Sequence, residues 1–431
     1  MNIFLLISAF LHRLFHVFVK LKSAHNSDCE CLKFSAVFLR NFIWYVVMRI
    51  AITPQVLEWA IQRSRRQEKL EHKFKKMGEW LSGTAQPTFL QLQEFAKAAT
   101  VPFGYLLLTS PPEERLPITN FRTLTSETVQ EFSPELLDTV YKMQQRQAWM
   151  RDCLTEQGHA PLPFIGSASI TDNPIDIAAQ IRKVLGINDG WAKSQPSWSD
   201  ALRGLERKID EAGIMVMVNG VVGNNTHRKL DPQEFRGFVL VDQYAPLVFV
   251  NGADGKAAQM FTLAHELAHI WLGISAAFDL RRLQPAADST EMVCNQIAAE
   301  FLVPTTLLIN LWPAIGSNAN RFQNIARHFK VSEIVAARRC MDLGLIGREV
   351  FFNFYRDWQS REIELAAKKK SDAGGGDFYP TQNLRIGNRF GQMLIQSVRE
   401  GKTAYTEAYH LTGLKRDTFQ TYADEIFGRK V

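Results

Sequence analysis

Two histidines four residues apart, with a glutamate directly after the first, lie in the stretch FTLAHELAHIWLG, Phe261 to Gly273. On an α-helix such positions are about 40° apart around the axis and about 6 Å apart along it, so His265 and His269 project from one face as a pincer. Two imidazoles placed in this way can reach one Zn²⁺ at about 2.0 to 2.1 Å each. Glu266 stands about 100° further round, beside such an ion but not on it, where a general base for hydrolysis belongs. The neighbours Phe261, Leu263, Leu267, Ile270 and Trp271 bury the helix. Buried imidazoles with a buried carboxylate are costly unless something satisfies them.

A catalytic zinc needs a third protein ligand and an open fourth position. The following segment, STEMVCNQIAAEFLVP, offers Glu291 and Glu300. Nine helical residues amount to about 900° of rotation, so these two carboxylates face opposite sides and one of them can bind. Glu291 is the expected ligand, because Asn295 lies one turn on along the same face and can orient a ligand histidine from behind. Glu300 is expected to satisfy backbone or an arginine at the domain edge. Cys294 reads as a small buried thiol. For a second donor to the developing oxyanion, His227 and Arg228 are upstream candidates, with no spacing that fixes them near the metal.

The elements that must position these groups follow from periodicity and punctuation. GIMVMVNG, GFVLVD and PLVFVNG are short, rich in Val and Phe, and bounded by Gly, Pro, Asp and Asn, which predicts three strands just ahead of the histidine helix. A second helix is expected from about Asp288 to Val303, stopped by Pro304. Around this core the text is helical, so the fold class is α+β, mostly α, with a small sheet. The expected divisions are a leader over 1–47, a helical domain over 48–110, a helical linker region over 111–200, the zinc peptidase domain over 201–312, a helical hairpin over 313–370 and a small helical module over 371–431. In the hairpin, Ser332 is placed to cap the helix that follows KVS. The run KKKSDAGGGDFYP reads as a flexible linker.

FTLAHELAHIWLG followed by EMVCNQIAAEFLVP resembles the ImmA/IrrE family of zinc metallopeptidases, whose signature is an HExxH helix and then a helix carrying Glu, Asn and A-A-E-L-L-x-P. The resemblance implies a gluzincin-like domain with His265, His269 and Glu291 as metal ligands and Glu266 as catalytic base. NNTHRKLDPQEFRGFVLVD and PLVFVN are similar to the family's strands before the catalytic helix. Asn295 stands where gluzincins often carry Asp. The segments LEWAIQRS and WLSGTAQPTFLQLQEFAKAATVPFGYLLLTSPPEERLPITNFRTL are similar to the Xre-type helix-turn-helix that precedes the peptidase in long family members. Family likeness further implies a protein substrate of the repressor or antitoxin type.

Composition bounds these readings. The chain has 431 residues with 46% hydrophobic content, enough for two or three domains with real cores. Five scattered cysteines with no CxxC spacing exclude a disulfide framework or a cysteine zinc site, and a reducing cytoplasm is the expected home. The net charge of +6 fits, without requiring, a protein that meets nucleic acid. Arg65, Arg66, Lys69, Lys73 and Lys76 are the candidate DNA contacts, diluted by Glu68, Glu71 and Glu79. A partner-docking module or a plain solvated face explains the same residues. Arg338 and Arg339, in the hairpin, are expected to serve packing.

In residues 1–47 the first apolar run is broken by His12, Arg13 and His16 and the second by Arg40, short of a full span of roughly 20 residues. The expected reading is a translated upstream leader with Met48 as the natural start. A membrane-associating segment and a packed helical extension are its alternatives.

Two function classes remain. One is a zinc-dependent endopeptidase acting on a repressor or antitoxin-type partner. The other is a DNA-binding regulator or toxin–antitoxin component whose zinc site is structural or vestigial. Glu266 separates them, since a structural site has no use for it.

Overall fold

The computed structural model describes residues 48–114, 132–278, 289–368 and 378–428. The expected leader over 1–47 lies outside the described residues, as does most of the KKKSDAGGGDFYP run. Two compact units divide at Glu114 and Arg115.

In the first unit, α1 (Pro54–Ser64), α2 (Gln67–Lys73), α3 (Met77–Leu81) and α4 (Phe89–Ala99) enclose a core of Val56, Leu57, Leu70, Trp80, Leu92 and Phe95. Thr88 starts α4 with a reciprocal capping box to Gln91. The segment RRQEKLEHKFKKMGEWLSG forms two short helices, α2 and α3. At the break, Phe74 leaves helical geometry and turns its ring into the core, 5.5 Å from Phe95 and 5.8 Å from Trp80.

The second unit begins with α5 (Pro134–Glu156), α6 (Pro174–Leu185) and α7 (Trp198–Glu211). The strands are β1 (Met215–Asn219), β2 (Val221–Val222), β3 (Asn225–Lys229), β4 (Gly237–Leu240), β5 (Leu247–Asn251) and β6 (Ala276–Phe278), and α8 (Lys256–Leu272) lies between β5 and β6. Beyond them come α9 (Ser289–Leu302), α10 (Thr305–Ile315), α11 (Arg321–Phe329), α12 (Glu333–Asp342) and α13 (Arg348–Lys368). The chain closes with α14 (Phe378–Ile386), α15 (Asn388–Arg399), α16 (Tyr405–Thr412) and α17 (Arg416–Gly428). The fold is α+β and mostly helical.

One sheet has the order β1-β5-β4-β6, with β1 parallel to β5 and the other pairs antiparallel; β2 and β3 form a separate ribbon. Side chains alternate across a strand, so the sheet has two different faces. Val216, Val218, Val248 and Val250 join α6, α7, α8 and α9 in one core. Met215, Met217, Leu247 and Phe249 join α5 and α14 to α17 in the other. Both faces are thus covered, which is why β1, β4 and β5 are buried at every residue.

This two-sided sheet changes the expected layout. The stretch expected as a linker region, 111–200, supplies α5 and α6, whose apolar faces enter the cores on opposite faces of the sheet. The C-terminal helices share a core with β1 and β5 and do not form a separate module. The hairpin behaves as its spacing suggests: Ser332 accepts a hydrogen bond from the Val335 amide at 3.3 Å.

Gly237, on β4, lets the sheet approach α8 closely. A Cβ there would sit 2.5 Å from Thr262 Cγ2 and 2.8 Å from the Phe249 carbonyl oxygen. Gly237→Ala is therefore expected to lower stability by about 1 to 3 kcal/mol through overpacking. A urea midpoint equal to wild type would contradict this close packing.

Candidate metal centre

Helix α8 is apolar on nearly all sides, and Gln259 through Leu272 are buried apart from half-buried Phe261. The sheet covers one flank, and α9 another through Cys294, Ile297, Ala298 and Phe301. Gly273 ends α8 in the left-handed conformation at φ 72°, and its amide donates to the carbonyls of His269 and Ile270. The helix stops one turn after His269.

α9 brings its first turn to the pincer. Glu291 Oε2 lies 3.1 Å from His265 Nε2, and Glu291 Oε1 lies 3.3 Å from His269 Nε2. The two Nε2 atoms are 3.1 Å apart. Behind this triangle, His265 Nδ1 faces Asn295 Oδ1 at 3.1 Å. Because Asn295 Oδ1 only accepts, Nδ1 carries the proton and Nε2 presents its lone pair inward, a tautomer assigned here from the partner.

These donors fit a tetrahedral cation. Ligands at about 2.0 to 2.1 Å around zinc stand about 3.3 to 3.4 Å from one another, close to the separations seen. Among the described residues, His265, His269 and Glu291 form a group that could hold a metal ion, with ligand atoms all within 4.8 Å of one another. Two imidazoles and a carboxylate leaving a fourth position is the donor set of many catalytic zinc sites. No geometry beyond the donors is needed to see the fit: three electron-rich atoms converge without a shared proton to account for every pair.

Protonation agrees with ligation. Burial pulls His265 below the ordinary imidazole value, keeping it neutral despite the nearby Glu291. Burial pushes Glu291 upward, but its contacts with the His265 and His269 rings outweigh it and hold the carboxyl well below the usual range, so that it stays charged.

Glu266 is wholly buried, and neither of its oxygens has a hydrogen-bond partner among the described residues. Burial, with repulsion from Glu291 second, raises its carboxyl well above the ordinary value. A Cβ on Gly237 would lie 3.3 Å from Glu266 Oε1, so the carboxylate looks along β4. The Glu291 side chain is 25% exposed whereas both imidazoles are fully enclosed.

Glu300 points away, as its half-turn offset requires. It accepts hydrogen bonds from the Thr305 amide at 3.1 Å and the Thr305 hydroxyl at 2.6 Å, and it pairs with Arg339. Arg228 is engaged by Glu135 at 3.1 Å and Asp138 at 2.7 Å, both on α5 across the sheet, and His227 is exposed on β3. Neither is brought to the imidazoles as an oxyanion donor. The basic candidates of the first unit lie on or beside α2, mostly exposed, with Lys73 reaching Glu94 at 3.4 Å. Helix α3 is only five residues long, MGEWL, and carries no basic side chain. Sequence reasoning missed two groups beside Glu266, Gly237 and the buried Thr262 hydroxyl, because no local pattern marks either.

Residues 209–341 match the family model of the IrrE N-terminal-like domain, a peptidase family. This region is similar to IrrE-type peptidase domains. The match spans about a third of the chain and contains His265, Glu266, His269, Glu291 and Asn295. It supports the ImmA/IrrE family and a peptidase. A second family model, a domain of unknown function (DUF8813), matches residues 386–425, which cover α15, α16 and most of α17. No curated protein matches the chain.

The two glutamates of α9 should separate cleanly. Glu291→Ala is expected to lose bound zinc, and Glu300→Ala to keep it while losing about 3 to 5 kcal/mol of stability as Arg339 is left buried without its carboxylate. Elemental analysis and denaturant unfolding read the two effects; zinc retained in Glu291→Ala would remove that residue from the ligand set.

Proposed function

We propose that the protein is a zinc-dependent endopeptidase that cuts a protein partner of the repressor or antitoxin class. The observation carrying the reading is the unbonded, fully buried carboxylate of Glu266 beside the convergent donors of His265, His269 and Glu291. Bound zinc supplies a Lewis acid and lowers the pKa of water towards about 7.

The rest is done by the chain's own side chains. His265 and His269 hold their lone pairs inward, the first fixed by Asn295. Glu266 has no hydrogen bond that competes for its oxygens, so it can accept a proton from the attacking water and return it to the leaving amine. The dry walls of Leu263, Leu267 and the sheet strengthen these interactions by keeping bulk water out. The peptidase-family match supports the hydrolytic class. The choice of partner rests on likeness of motif, with the helical regions on either side of the site as the natural source of specificity.

A structural zinc site gives no reason to bury a fourth ionisable group with no bonds, which argues for hydrolysis over a regulator with a vestigial centre. Glu266→Gln is expected to retain wild-type zinc content and to lower cleavage by a factor of about 10² to 10⁴. Co-expression with a candidate substrate of the repressor or antitoxin class, followed by a search for a cut fragment, reads this. Equal cutting by Glu266→Gln would remove the carboxylate from the mechanism.

A further inference from the structure

Two buried polar side chains on α8 lie one turn apart on the same face, and neither has a hydrogen-bond partner among the described residues. They are Thr262 and Glu266, each 0% exposed, and the unbonded atoms are Thr262 Oγ1 and both carboxylate oxygens. Four helical residues amount to about 40° around the axis, and a helical side chain leans back over the preceding turn. The Glu266 carboxylate therefore lies over the turn that carries Thr262.

Strand β4 stands opposite them. A Cβ on Gly237 would be 2.5 Å from Thr262 Cγ2 and 3.3 Å from Glu266 Oε1, so both side chains border the small volume that glycine leaves open. The other buried polar side chains of α8 are committed elsewhere. Gln259 donates to the Gly252 and Asp254 carbonyls, and both imidazoles face Glu291. Thr262 is left as a neutral donor without an acceptor.

A helical threonine ordinarily turns its hydroxyl onto the carbonyl three or four residues back. Thr262 does not. Valine has the same shape with no oxygen to satisfy, so packing alone gives no reason for a hydroxyl at this buried position.

We propose that Thr262 is a positioning residue for Glu266, its hydroxyl donating to the carboxylate oxygen on the β4 side so that the other oxygen stays aimed at the reacting water. Threonine occupies two χ1 wells in helices, and a one-third turn about Cα–Cβ puts Oγ1 where Cγ2 stands, beside Gly237 and Glu266 Oε1. Fixing one oxygen holds the plane of the carboxylate, as an outer hydrogen bond holds a ligand imidazole. Gly237 leaves the room for this bond. The catalytic part of the proposal rests on the proteolytic reading; the pairing of the two side chains does not.

The pairing is tested by urea unfolding of the full-length, zinc-loaded protein as wild type, Thr262→Val, Glu266→Leu and the double variant. The midpoint shift of the double variant is expected to be smaller than those of the single variants combined, because the second substitution removes a bond already lost. Shifts that add would overturn the pairing. The catalytic role is read from cleavage of a purified candidate partner of the repressor or antitoxin class. Thr262→Val is expected to lower kcat about tenfold with KM and zinc content unchanged, and Thr262→Ser, which keeps the hydroxyl, to recover most of that loss. Wild-type kcat in Thr262→Val, or a loss in Thr262→Ser as large as in Thr262→Val, would overturn the positioning role while Glu266 stays the base. If Glu266→Gln itself cuts as wild type does, the proteolytic reading falls and the catalytic role with it, and the unfolding cycle alone decides the pairing.

Discussion

Glu291 reaches both imidazoles because α9 lies against α8 with its first turn beside the second turn of the HExxH motif. Everything at the centre depends on that contact. Each histidine alone is a buried polar group whose Nε2 would lack a partner, and the carboxylate alone would be a partly buried charge. Brought within 3.1 to 3.3 Å of one another, they become a donor set. The apolar side chains of both helices supply the energy that holds this arrangement, since each fully buried Leu, Ile or Phe contributes roughly 1.5 to 3 kcal/mol. Cys294, Ile297, Ala298 and Phe301 on α9 meet Leu263, Ala264, Leu267 and Ala268 on α8 in one core. The small residues among them let two buried helices approach closely.

Much of the centre was legible because its logic is local. Rotation per residue places His265 and His269 on one side, puts Glu266 beside them, and sets Glu291 and Glu300 half a turn apart in phase. The structure has Asn295 behind His265 and Glu300 on Arg339 and Thr305, arrangements that the same angular reasoning describes. The strands β1, β4 and β5 were legible as short Val-rich runs between turn residues. The N-cap at Ser332 was legible for the same reason: a hydroxyl three residues before an amide in a helical frame.

What was not legible depends on partners distant in the chain. The text of α5 is amphipathic, and nothing in it says that Leu136, Val140 and Met143 meet Met217 and Phe249. The C-terminal helices follow a Gly-rich run that reads as a linker, yet Ile386, Phe390 and Leu394 share that same core. Strand β6 is three residues with no periodicity to detect. The break at Phe74 is a tertiary choice: an aromatic residue gains more from packing between Trp80 and Phe95 than the chain loses by interrupting a helix whose surface positions contribute little.

The sheet joins these two classes of information. Strand β1 turns Val216 and Val218 towards the peptidase helices and Met215 and Met217 towards the C-terminal ones, so its fully buried pattern MVMVN records two cores at once. Charge is sorted across the same layer. Glu266, Glu291 and the two imidazoles gather on one side, where a cation fits between the ligand atoms, and on the other Lys142 and Arg146 line one small cavity. Both groups would be expensive in isolation, because burial penalises charge whatever its sign. The peptidase-matched helices and the C-terminal helices are thus joined through one sheet, each set packing its own core against a different face of four short strands.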